Sequence, residues 1–193
     1  MRRDKTLRMI ERYCKGKVLD LGCGTGSVTE YLFRKGFDVE GCDFDEGRIS
    51  IAKKKNPKIN YFLFDLDKQE LKKKYDTIVL MGVLEGLNSK PSEVLMRLKK
   101  NLNVGGRIIF EVPNTNSLQN RIRSLFGMEP LDEMFPKTYR FTKKRVFGVI
   151  RAARFKPVKI TTTGFVQIRG KNIPMIDSMA QEFFAVIEGG QEK

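Results

Sequence analysis

The sequence predicts an α/β fold: a mostly parallel sheet with helices on both faces. Three observations carry this. Apolar, buried-type strands alternate with amphipathic helical stretches from the start of the chain to Pro113. The first strand runs straight into a glycine loop, Gly22-Cys23-Gly24-Thr25-Gly26, and then into a helix. Carboxylates stand at or near three successive strand ends, at Asp20, Asp43 and Asp65.

The elements follow in order. Residues 4–14 place Leu7, Ile10 and Tyr13 at helical spacing and predict a short leading helix. Lys17–Leu21 (KVLDL) is the first strand. Residues 27–35 carry apolar side chains at 28, 31, 32 and 33, a helix ended by Gly36. Residues 37–42 alternate as a second strand. Asp45 is placed to cap the next helix, with Ile49, Ile51 and Ala52 turned inward, until Asn56-Pro57 stops it. Residues 59–64 and Tyr75–Met81 form strands three and four. A helix over 92–102 follows, with Val94, Leu95, Leu98 and Leu102 on one side. Gly105-Gly106 turns the chain into a fifth strand at 107–112. After Pro113 the rhythm breaks. Residues 114–141 hold two prolines and many apolar side chains, among them Leu118, Phe126 and Phe135, and read as a long loop of the kind that covers a site. An edge helix or a dimer surface is the alternative. Thr142 opens a helix to Arg154, and strand-like runs at 158–163 and 182–187 close the fold. A length of 193 residues suits one domain: a leading helix (1–14), a ligand-binding core (15–113), a lid (114–141), and a last helix with two strands (142–193).

Composition narrows the chemistry. The chain has no His, which excludes Ser-His and Cys-His nucleophile pairs, imidazole bases and His-ligated zinc. The net charge is +14 and uneven: residues 1–96 carry 19 basic and 15 acidic side chains, residues 97–193 carry 18 and 8. No acid lies between Glu133 and Asp177, where eleven Lys and Arg fall. Such a stretch attracts nucleic acid or an anionic substrate, or is a solubility and heat-adaptation bias. Three cysteines, at 14, 23 and 42, form no CxxC pair and point to a reducing compartment. The first residues are charged, and no apolar run reaches the ~18 residues of a membrane span, so a cytoplasmic protein is expected.

The glycine loop lets backbone approach a ligand closely. Dinucleotide sites use a similar device, but with GxGxxG spacing; here it is GxGxG, with Asp20 two residues upstream. A carboxylate there suits an ammonium- and sulfonium-bearing ligand better than a pyrophosphate. Asp43, 21 residues past Gly22, can accept hydrogen bonds from both hydroxyls of a ribose. Phe44 can pack on a purine face, and Asp65 can accept from its amino group. Met81 ends strand four, where an open α/β sheet presents its crevice. Asp43 and Asp65 can equally be cap or turn residues.

These residues resemble class I S-adenosylmethionine-dependent methyltransferases over about residues 15–115. Leu19-Asp20-Leu21-Gly22-Cys23-Gly24-Thr25-Gly26 is similar to the first motif of that family, and Leu102-Asn103-Val104-Gly105-Gly106-Arg107 to its turn before strand five. More narrowly, Val112-Pro113-Asn114, Arg121, Gly127 and Tyr139-Arg140-Phe141-Thr142 resemble the small type 11/12 methyltransferase domains, including ubiquinone-biosynthesis O-methyltransferase-like and methionine-biosynthesis-associated members. The resemblance implies a Rossmann-like sheet of seven strands with an antiparallel last strand, and S-adenosylmethionine as cofactor. It implies that Asp20 and the Gly22–Gly26 backbone hold the methionine part, that Asp43 holds the ribose, and that Asp65 and Leu66 flank the adenine. Many such members carry a His near the Arg-Phe-Thr stretch or after strand four; here Glu85 follows Gly82-Val83-Leu84.

A sulfonium methyl is already activated, so the protein mainly positions it and excludes water. If a general base is used, Glu85, Glu111 and Tyr139 are the candidates. The expected acceptor is a small molecule, apolar or anionic, with Arg140, Lys143, Lys144 and Arg145 placed to meet an anion. The alternatives are an RNA methyltransferase using the basic half, and a non-catalytic module that binds cofactor and a protein partner. A dehydrogenase is disfavoured by Asp20 and by the loop spacing.

Overall fold

The computed structural model describes residues 2–117, 120–121, 125–126, 139–163, 165–168, 171–174 and 182–189. The elements are α1 (Arg2–Tyr13), β1 (Lys17–Leu21), α2 (Ser27–Arg34), β2 (Asp38–Asp43), α3 (Glu46–Lys55), β3 (Asn60–Leu63), β4 (Tyr75–Met81), α4 (Pro91–Lys99), β5 (Leu102–Pro113), α5 (Lys143–Ala152), β6 (Phe155–Thr163), β7 (Phe165–Ile168), β8 (Lys171–Pro174) and β9 (Glu182–Gly189).

Seven strands form one sheet in the order β3-β2-β1-β4-β5-β9-β6. The strands β1 to β5 pair in parallel, whereas β9 runs antiparallel to both β5 and β6. The order reverses at β1, which places the ligand crevice over the C-terminal ends of β1 and β4. Because β9 is antiparallel, its first residue, Glu182, arrives at that same end, opposite Pro113.

The period-2 rule sends neighbouring apolar residues to opposite faces, and both faces are covered. Leu19, Ile78, Ile108 and Ala185 face the layer that holds Val94, Leu95 and Leu98 of α4 and Val146 and Ile150 of α5. Val18, Val79, Ile109 and Phe184 face Ile10 of α1 and Leu32 of α2. On α3, Ile49 and Ala52 pack on Ile59 and Tyr61. Asp45 caps α3 as its sequence position predicts, accepting the Arg48 N–H at 3.0 Å. The outer strand β6 exposes Lys156, Pro157 and Lys159 and is bulged between 157 and 159, features that discourage pairing with another sheet edge.

The structure differs from the sequence expectation in several places. Ile51, expected to turn inward on α3, is 46 % exposed, because only Ile49 and Ala52 of that helix face the sheet. The helix expected over 92–102 is α4, which ends at Lys99, and Leu102 passes into β5. The fifth strand begins at Leu102 rather than at 107: Leu102 pairs with Tyr75, the register then shifts across an irregular stretch that passes Gly105 at φ 68, and pairing with β4 resumes at Thr77↔Arg107. A two-stranded ribbon, β7 with β8, stands between β6 and β9. Most of the expected lid, 114–141, lies outside the described residues. Its two ends meet: Asn114 bridges Phe141, and the Thr115 N–H donates to the Phe141 carbonyl at 3.0 Å. The segment therefore leaves from the crevice end of β5 and returns to it.

Candidate active site

The loop after β1 adopts a path closed to larger residues. Gly22 and Gly26 have φ of 79 and 81. A Cβ would lie 2.4 Å from Val83 Cγ2 at Gly22, and 2.6 Å from the Tyr61 hydroxyl at Gly26. The N–H groups of Gly22 and Cys23 both donate to the Cys42 carbonyl, at 2.8 and 2.9 Å, which fastens the loop to β2. No side chain caps α2 at Gly26, so its first turn can offer N–H groups to a ligand.

Two carboxylates flank this loop. Asp20 is 1 % exposed and accepts the Thr29 hydroxyl at 2.6 Å. Burial pushes its carboxyl up to about 6; the Thr29 bond opposes that rise, and the nearby Asp43 charge adds to it. Asp43 is also buried. One of its oxygens accepts the Gly24 N–H at 2.8 Å and the other the Asp45 N–H at 3.0 Å. Each oxygen retains a second acceptor position, as ribose recognition needs. A cation beside Asp20 and two hydroxyls beside Asp43 would each meet a complementary group, so the residues fit an aminoacyl nucleoside.

A cavity of about 400 Å³ opens at the loop. Asp20, Gly22, Cys23 and Gly24 form one side, and Met81 and Glu111 the floor. These last two are register partners across β4 and β5. Thr6, Leu7 and Ile10 of α1 form a roof. That roof is fixed by Glu11, which accepts the Tyr31 hydroxyl of α2 and pairs with Lys35 at 3.3 Å. Glu182 supplies a further carboxylate, and the Thr163 hydroxyl lies 2.6 Å from Glu111 Oε1 and 3.3 Å from Glu182 Oε2.

The structure thus gathers Asp20, Gly22, Cys23, Gly24, Met81 and Glu111 around one cavity, with Gly26 and Asp43 adjoining. Phe44 stands outside it, 69 % exposed beside Asp43. Asp65 acts as a turn residue: it accepts the Asp67 N–H at 3.0 Å and pairs with Lys68 at 3.0 Å. Leu66 turns its side chain into the core, and its carbonyl takes a hydrogen bond from Arg97. Of the candidate bases, Glu111 alone lines the cavity. Glu85 is buried in the loop after β4, and Tyr139 is tied to that loop, its N–H donating to the Glu85 carbonyl at 3.1 Å and its hydroxyl reaching the Asn88 carbonyl at 3.4 Å. The basic side chains at the start of α5 are exposed, and Arg145 stacks over the Tyr139 ring at 5.8 Å.

Sequence reasoning missed α1 as the roof and the pair Thr163 and Glu182. The first is signalled only by Leu7 and Ile10, which read equally as core positions. The second becomes legible once β9 is known to run antiparallel, since its first residue must then reach the crevice.

Comparison with known proteins agrees with this geometry. A family model described as a methyltransferase domain matches residues 3–153. The chain is 36 % identical over 95 residues to a probable S-adenosyl-L-methionine-dependent methyltransferase, TehB, of Haemophilus influenzae, covering 47 % of this chain and 33 % of that protein. It is 28 % identical over 127 residues to the ubiquinone biosynthesis O-methyltransferase of Aliivibrio fischeri, covering 63 % and 53 %. The chain thus spans about a third to a half of the curated relatives it matches. The crystal structure of magnesium protoporphyrin IX methyltransferase from Synechocystis PCC 6803 with bound SAH superposes with a TM-score of 0.69 at 19 % identity, over 97 % of this chain and 81 % of that one. The chain belongs to the methyltransferase-domain family, whose cofactor is S-adenosylmethionine.

Proposed function

We propose that this protein transfers the methyl group of S-adenosylmethionine to a small, largely apolar acceptor. The observation that carries the acceptor class is the excursion 114–141. It is pinned at the crevice end of β5 and exposes Leu125 and Phe126 at 84 % and 73 %. Exposed apolar side chains on a segment that leaves and re-enters at the crevice end suit a lid that closes on an apolar molecule.

The residues take the following roles. The Asp20 carboxylate and the backbone from Gly22 to Gly26 hold the methionine part of the cofactor. Asp43 takes the ribose hydroxyls, while Phe44 covers one face of the adenine and the Asp65–Leu66 turn borders its edge. When bound, the cofactor supplies an activated methyl group, so this chain has to align the acceptor and exclude water. Met81 and the α1 roof narrow the cavity for that purpose. Glu111, oriented by Thr163, accepts the acceptor's proton where one must leave. The exposed cations at 140–145 favour a second reading, an anionic or RNA acceptor approaching from α5.

Calorimetry with S-adenosylhomocysteine tests the cofactor half: the wild type binds it, and Asp43→Ala loses at least about 100-fold in affinity. Incubation with an isotopically labelled methyl donor and a cell extract tests the acceptor half. Label in solvent-extractable material supports the proposal, and label confined to RNA replaces it with the second reading.

A further inference from the structure

A second cavity lies at the other end of the sheet. It is larger than the glycine-loop cavity, about 700 Å³ against about 400 Å³. It sits where β4 and β5 begin and β9 ends, between the end of α4 and the α5–β6 turn. None of the residues around the glycine loop reaches it.

Its chemistry is two-part. The floor is apolar: Leu102 and Ala153 back it, and Met96 and Val104 lie in it at 42 % and 81 % exposure. Among the described residues the rim is cationic, with Lys74, Arg97, Lys99, Lys100 and Arg154 against one acid, Glu93, which pairs with Lys90 at 3.4 Å. Two of the five cations are used by the fold. Arg97 donates to the Leu66 carbonyl at 3.0 Å, and Lys99 to the Arg154 carbonyl at 3.1 Å. Lys74, Lys100 and the Arg154 guanidinium have no ion pair among the described residues. Like charges lining a hollow repel one another, and apolar groups exposed in it are poorly hydrated. Both costs are removed by one kind of ligand.

We propose that this cleft is a non-catalytic binding site for a small amphipathic anion, a phosphate or carboxylate head on an apolar chain. The head meets Lys74, Lys100 and Arg154, and the chain lies on Met96, Leu102 and Val104. The volume is within the range of small-molecule sites, which are mainly apolar with a few convergent polar groups.

The test is titration of the full chain with dodecyl phosphate below its micelle concentration, beside dodecanol and inorganic phosphate. Dodecyl phosphate should bind at least about tenfold tighter than either half-ligand. Its affinity should be the same with and without saturating S-adenosylhomocysteine. The double variant K100E/R154E should weaken it by at least about tenfold, and Val104→Asp by a similar factor, with S-adenosylhomocysteine affinity unchanged in both. All three positions are exposed, so the variants are expected to fold. Competition by S-adenosylhomocysteine, or full retention by K100E/R154E, would place the anion elsewhere and overturn the proposal. Sedimentation with phosphatidylglycerol vesicles without binding of the free amphiphile would overturn it in favour of a membrane surface.

Discussion

Asp20 and Glu40 are both buried carboxylates on adjacent strands of one sheet, yet their surroundings drive them in opposite directions. Glu40, on β2, is met from every side: it accepts the Tyr75 hydroxyl and the Lys73 ammonium at 2.8 Å and the Asn60 amide at 3.2 Å, with Lys17 at 3.6 Å. These partners outweigh the cost of burial and hold its carboxyl well below the usual range, at about 2. Asp20, near the crevice end of β1, meets the Thr29 hydroxyl and, among the described residues, no cation, and burial holds it at about 6. A carboxylate that the fold completes is structural. A carboxylate that the fold leaves wanting a cation marks where a cation is to arrive.

The largest test of this contrast is Asp20→Asn. Keeping Asp20 ionised without a cation costs about 3 kcal/mol at neutral pH, so the amide should leave the melting temperature unchanged or higher. S-adenosylhomocysteine affinity should meanwhile fall about 100-fold, because the ligand ammonium loses its charge partner. Calorimetry and thermal denaturation on one sample decide it; a melting temperature that falls together with affinity would make Asp20 structural and erase the contrast. Glu40→Gln should do the reverse. It should lower stability by about 2 kcal/mol by removing the charge that Lys73 and the buried Tyr75 hydroxyl meet, and leave the affinity of the folded protein unaltered. Chemical denaturation at neutral pH measures this.

The pH dependences have opposite signs. Glu40 has a lowered folded-state pKa, so its contribution is complete above about pH 4.5 and is lost as pH falls toward 2. The stability gap between wild type and Glu40→Gln should close over that window. Asp20 has a raised one, so its protonated form favours folding below about pH 3.8 and that benefit is lost as pH rises through about 6. On the proposed role of Asp20, ligand binding needs the ionised form. Affinity for S-adenosylhomocysteine should therefore weaken about tenfold between pH 7 and pH 5, and Asp20→Asn should flatten that slope.

How far the sequence reveals all this depends on locality. β1, the glycine loop, the Asp45 cap and β4 are fixed by residues within a few positions of one another, and the sequence places each of them. Asp20 and Asp43 are recognised for the same reason, since each is adjacent to its strand end or loop. What escapes is non-local. Glu182 reaches the cavity through the reversal of β9 beside β5, α1 roofs it through Glu11 and Tyr31, and Glu40 finds partners on three other elements. The β7–β8 ribbon escapes for a different reason: its strands are four residues each, and neither carries a long apolar alternation. The basic cleft is non-local too: Lys74, Lys100 and Arg154 line it together only because α4, β5 and the α5–β6 turn meet at the base of the sheet.

The smallest expected effect isolates the side-chain hydrogen bond to Asp20. Thr29 is fully buried, and among the described residues its hydroxyl is the only side-chain hydrogen bond to Asp20. Thr29→Val keeps the shape and removes the donor. With that donor gone, the carboxyl should rise further, because burial is then opposed by less. The midpoint of the affinity-against-pH curve should move upward, and affinity at pH 7 should fall about threefold to tenfold, well short of Asp20→Asn. Stability should change little at acidic pH, where a protonated Asp20 has no charge to be stabilised. A midpoint that stays where it is in Thr29→Val would mean that the hydroxyl does not govern the ionisation of Asp20, and that the two carboxylates differ through burial alone.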